Sequence, residues 1–78
     1  MSNAKRVLEF HISRLQDKNR DVRLRSISEL RVLNDPDALL PLRKVFEQDT
    51  DPDVRKAAQE AGRAIFTNTR GGADKAGG

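Results

Sequence analysis

Two features of this 78-residue chain have the residue types and spacing that chemistry requires. One is the acidic run Asp49, Asp51, Asp53, alternating carboxylates of the kind that open a calcium-binding loop. The other is His11, the single histidine, a general base if a nucleophile were set against it. Neither completes a site. A calcium loop turns sharply on a glycine at its sixth position, and here that position is Val54. His11 sits among Leu8, Ile12 and Leu15 at helical spacing, the setting of a half-buried packing residue. There is no cysteine, so thiol nucleophiles, disulfides and cysteine zinc sites are excluded. The Gly-Gly pairs at 71–72 and 77–78 follow no strand pattern, so they form no phosphate loop. The sequence assigns no catalytic residue, metal ligand or cofactor.

The elements that carry these residues are helices. Leu8, Ile12 and Leu15 mark a first helix over about 4–16. A second spans about 20–33, with Asn19 as N-cap, Asp21 in the first turn, and Val22, Ser26, Leu30 and Leu33 along one side. Asn34 suits the left-handed residue that ends a helix. A third starts at Asp35-Pro36 and carries Leu39, Leu42, Val45 and Phe46; Pro41 should bend it. A fourth starts at Asp51-Pro52, with Val54, Ala58, Ala61 and Ile65 on its apolar face. On this reading the acidic run is helix capping. From Thr67 onward the chain is polar and Gly-rich, and a disordered tail is expected over 67–78.

The two helix pairs repeat. Asp21-Val22-Arg23 and Asp53-Val54-Arg55 are related by a shift of 32, which also pairs Ser26 with Ala58, Arg31 with Arg63 and Leu33 with Ile65. A helix–turn–helix unit recurring at this period is the mark of a helical solenoid. The expected fold is all-α, a short α-α superhelix of four antiparallel helices. Residues 1–66 form two repeats, about 4–33 and 35–66, ahead of the tail.

The segment DVRLRSISELRVLNDPDALLPL, residues 21–42, resembles the HEAT-like repeat of phycobilisome lyases and many small bacterial and archaeal proteins. Val22, Arg23, Ser26, Leu30, Asp35, Pro36, Ala38, Leu39 and Leu42 carry the resemblance, and residues 49–65 match the start of another repeat. It implies a binding scaffold, and by itself says little about the partner. It also implies that Asp21, Arg23, Asp53 and Arg55 form a ladder between repeats, and that the second helices line a concave, partner-facing side. Two departures stand out. Asn34 replaces the usual glycine, and Gly62 replaces the usual leucine. Gly62 marks a close helix approach, a frayed terminal repeat or a notch for a partner's side chain.

The net charge is +3, with eight Lys/Arg against four Asp/Glu in residues 1–34 and seven against eight in 35–78. The only aromatics are Phe10, Phe46 and Phe66, all at apolar helical positions, so a base-stacking platform is not indicated. The leading expectation is a non-catalytic protein-interaction module, an adaptor or assembly factor. Its face comprises Arg20, Ile27, Arg31, Gln59 and Arg63, with Ile27 as apolar anchor inside a basic rim unless helix 4 covers it. Nucleic-acid binding on an Arg-rich concave face is the alternative, since the chain holds ten arginines. The resemblance adds a third reading, an accessory to bilin attachment. Two repeats leave apolar ends, so a homodimer through those ends is also expected. No apolar run is long enough for a membrane helix. The lack of cysteine suits a reducing, cytoplasmic setting.

Overall fold

In the computed structural model, which describes residues 3–71, four α-helices follow one another and no strand occurs among the described residues. Helix α1 spans Asn3–Arg14 and closes on tight turns, with the Leu15 and Asp17 amides donating to the Ile12 and Arg14 carbonyls. Helix α2, Arg20–Leu33, has the expected caps. The Asn19 side chain accepts from the Asp21 amide, and Asn34 takes φ 55°, its amide returning to the Leu30 carbonyl.

The third helix differs from expectation. Pro36–Ala38 is a separate 3₁₀ turn capped by Asp35, and helix α3 runs over Leu39–Gln48. Pro41 is therefore the third residue of α3, where its missing N–H is one of the four that no helix can satisfy internally. Pro41 thus does not interrupt a helix; it sits where a helix begins. Helix α4 covers Pro52–Phe66, with the Asp51 side chain accepting from the Asp53 and Val54 amides and Pro52 in the first turn.

The expected disorder does not begin at Thr67. Residues Thr67–Gly71 continue α4 as a π-helical segment, held by the Thr69 hydroxyl on the Ile65 carbonyl and by Asn68 against Asn34. The remainder of that expectation, residues 72–78, lies outside the described residues.

Helix α2 packs between α1 and α4, while α3 packs on α4. The core runs through all four helices, with Leu8, Leu15, Leu30, Leu42, Val54 and Ile65 among its buried members. Full burial of such side chains contributes roughly 1.5–3 kcal/mol each. The first pair, α1–α2, presents one face to the second, and α3–α4 covers it. The corresponding face of the second pair has no covering helix among the described residues.

Candidate partner-binding surface

The contacts between repeats explain why the Asp-Val-Arg motif recurs. Arg23 on α2 reaches the loop before α4. Its Nε lies 2.9 Å from Asp49 Oδ2, and its Nη2 donates to Asp49 Oδ1 at 3.3 Å. The Nε contact is Coulombic, because the N–H does not point along the carboxylate direction. Arg23 Nη1 also donates to the Asp17 and Lys18 carbonyls in the loop between α1 and α2 of its own repeat. The pair is well shielded, with the two side chains only 16% and 9% exposed. Asp49 in turn caps its own loop by accepting from the Asp51 amide, as Asp17 does for Asn19.

A second rung comes from Arg20, expected on the partner face. Its Nε donates to Asp51 Oδ2 at 2.5 Å and its Nη2 to Asp53 Oδ2 at 2.7 Å. The hydrogen bond and charge of Asp51 hold the Arg20 guanidinium above its ordinary pKa. Burial alone would raise the Asp51 carboxyl. The hydrogen bonds from Arg20 and from the Asp53 and Val54 amides, with the Arg20 charge, outweigh that and hold it below the usual 3.8.

Of the expected ladder, Arg23 and Asp53 bridge the repeats, and Asp49, Asp51 and Arg20 join them. Asp21 stays outside; its carboxylate is exposed, and its nearest cation is Arg20 at 3.8 Å. Arg55 donates to the Phe46 carbonyl and stacks over the Phe46 ring, a bond within its own repeat like that of Arg23 to Asp17. The Nη groups of Arg55 meet no carboxylate among the described residues.

The expected partner face does not survive intact. Ile27 is buried to 2% exposure beneath the second repeat, because α2 is the helix on which α4 packs. It cannot anchor a partner. Arg20 is engaged in the ladder. Arg31 is exposed on α2 and is not among the residues lining the groove that holds Gln59 and Arg63. Gln59 and Arg63, the counterparts of Ile27 and Arg31, do come together, on a surface that sequence reasoning did not assemble.

That surface is a groove of about 340 Å³ between α3 and α4 on the outer face of the second repeat. Leu39, Leu42, Phe46, Ala58, Gly62 and Phe66 form its floor and ends, and Arg43, Gln59 and Arg63 its rim. Phe66 is 50% exposed, and the Arg70 guanidinium lies over its ring, 6.0 Å from the centroid. At the centre stands Gly62. A Cβ built there would meet nothing within 4 Å, so no close helix approach demands glycine, and the residue lies inside a regular helix rather than at a frayed end. Of the three readings of Gly62, the notch agrees with the geometry. The shift of 32 shows what the groove is. Its α4 positions 59, 62 and 63 correspond to Ile27, Leu30 and Arg31, and in the first repeat Ile27 and Leu30 are buried under α4.

A scan against protein-family models matches the family described as HEAT repeats over residues 2–65. The chain belongs to the HEAT repeat family. No curated protein and no solved structure matches it. HEAT repeats generally mediate contacts between proteins.

The two chemical candidates fall into place within this HEAT fold. The calcium reading has a stronger objection than a missing glycine. Glu60, the twelfth residue counted from Asp49, lies on α4 beyond the loop, where it cannot close over the triplet. Among the described residues no group of three or more His, Cys, Asp or Glu side chains is placed to hold a metal. His11 is half-buried, its ring edge-on to Phe10 at 5.2 Å. No helix among the described residues is long and apolar enough to cross a membrane.

Proposed function

We propose that this chain is a non-catalytic protein-interaction module, an adaptor or assembly factor, and that it receives its partner in the α3–α4 groove. The observation that carries the reading is the open notch at Gly62. Glycine inside a helix costs up to about 1 kcal/mol against alanine, and nothing in the fold compels it. A side chain at this position would fill an apolar groove whose counterpart in the first repeat is filled and covered. Keeping it empty at a cost in stability is what a binding site requires. Gln59 and Arg63 supply polar contacts at the rim, a small apolar centre within a polar border being the usual anatomy of a protein interface. An accessory role in bilin attachment is a narrower form of the same reading and rests on the resemblance of residues 21–42 alone.

Affinity capture from nuclease-treated lysate, with the wild type beside Gly62→Trp, Arg63→Glu and Arg31→Glu, tests the proposal. One stoichiometric protein, retained by Arg31→Glu and lost by the other two, is expected. Capture that survives Gly62→Trp would remove the groove from the mechanism. Capture of nucleic acid alone before nuclease, with a steep loss of binding as salt rises, would replace a protein partner with a polyanion.

A further inference from the structure

We infer that the occupant of the α3–α4 groove is an acidic amphipathic helix from a different protein, which inserts a large apolar side chain against Gly62; this rests on the reading of the groove as the binding surface. The first repeat provides the template. Its equivalent face is covered by α4, a helix lying on α2, so the shape of the open position is that of a helix. The loop that leads into α4 is acidic, and its Asp49 meets Arg23. The counterpart of Arg23 is Arg55. Its guanidinium carbon lies 5.8 Å from the centroid of Phe46, a groove residue, and its Nη groups meet no carboxylate among the described residues.

Volume sets the central residue. On α2 the floor holds Ile27 and Leu30, both buried, and α4 covers it largely with small side chains such as Ala57 and Ala61. On α4 those floor positions are Gln59 and Gly62. The floor has lost a leucine side chain, so the covering helix must bring the missing volume itself. An alanine-faced helix like α4 would leave a void; a Leu, Ile, Met or Phe would fill it.

Charge sets the flanks. Arg43 and Arg63 stand on the rim, Arg55 lies beside Phe46, and no acidic residue lines the groove. Arg43 is held only by exposed Glu47 at 3.1 Å, a contact worth little in water. Three cations around an apolar floor select carboxylates on either side of the inserted residue.

The same features argue against a second copy. Groove against groove would set the rim arginines of both copies face to face. Stacking the first repeat of one copy on the second repeat of another would bring Arg25 and Glu29 to the positions where α4 uses Ala57 and Ala61. Both are exposed on α2, and Arg14 and Arg25 flank the hollow beside Phe10. The Arg25 and Glu29 side chains are far larger than the alanines they would replace, and Arg25 would add a further cation to an Arg-rimmed groove. Rim charge therefore favours a partner of opposite charge over the self-association expected from the sequence.

The probe is a display library of helix-forming peptides about 18 residues long, long enough to hold a helix on binding, selected on the full chain. Enriched peptides should be net acidic, should share one large apolar position, and should become helical on binding. Gly62→Trp should abolish their binding, and Arg63→Glu should weaken it at least about tenfold. Retained thermal melts of both variants establish that they fold. Enrichment of basic, uncharged or proline-rich extended sequences would overturn this inference, as would no enrichment, or enrichment blocked by dimers of the chain itself. Acidic helices that bind Gly62→Trp unchanged would instead remove the groove as the site. Non-helical binders lost on Gly62→Trp would leave the groove standing and refute the helix.

Discussion

Gly62→Ala should make the protein more stable, and the size of the gain can be worked from the structure. The residue lies inside α4, where alanine is favoured over glycine by about 0.8–1.0 kcal/mol. Most core replacements carry a steric term of opposite sign. Here that term vanishes, because a Cβ at 62 meets nothing within 4 Å. The added methyl faces open groove and gains little burial, so propensity is nearly the whole effect. For a domain of this size about 1 kcal/mol corresponds to a rise in Tm of roughly 4–8 °C. The assay is thermal melting by circular dichroism, checked by urea unfolding, in which the midpoint should rise with the slope unchanged. Ala61→Gly, one residue away on the same helix, is the internal control. Ala61 is buried, so its loss should exceed the propensity difference by the core contact removed. A Gly62→Ala protein that melts at or below the wild-type temperature would refute the reasoning. It would mean that packed atoms occupy the space taken here as open, and the binding groove would go with it.

Three further outcomes follow from the inter-repeat contacts. Arg23→Ala strands the shielded Asp49 carboxylate and two carbonyls and should cost about 3 kcal/mol, while the double variant with Asp49→Ala should cost less than the sum, as read by a double-mutant cycle in urea. Ile27→Asp should abolish the cooperative melt outright, since an ionised carboxylate in the core costs several kcal/mol, comparable with the whole stability of a small domain; a folded Ile27→Asp protein would restore Ile27 as a surface residue. Asp51 has a folded pKa below its unfolded value, so the unfolded chain binds its proton first as pH falls. Its contribution is therefore full above about pH 4 and is lost as pH drops through the folded pKa. Asp51→Asn keeps the N-cap but not the charge, and should flatten the acid limb of stability against pH.

The sequence by itself determined the helices, their caps and the two-fold repetition. These are local matters. Asn19, Asp51 and Asn34 act on backbone groups within a few residues, and the apolar period of 3.6 needs no knowledge of what lies opposite. Pro41 was misplaced for a local reason too, since Asp35-Pro36 signals a helix start whether a 3₁₀ turn or an α-helix follows. The sequence also showed that Gly62 breaks the repeat, without showing which way. What only the tertiary structure decided is which repeated positions are covered. Ile27 and Gln59 hold the same place in their repeats, as do Leu30 and Gly62, and no periodicity separates them. One pair is buried and the other open because α4 lies on α2, while no helix among the described residues lies on α4. Pairing across the repeats is decided the same way. Arg20 and Arg23 reach carboxylates about thirty residues on, whereas Arg55 has the motif but, among the described residues, no next repeat to meet. In a solenoid each repeat completes its neighbour, so what a repeated position does depends on what lies across from it, which its own sequence does not record.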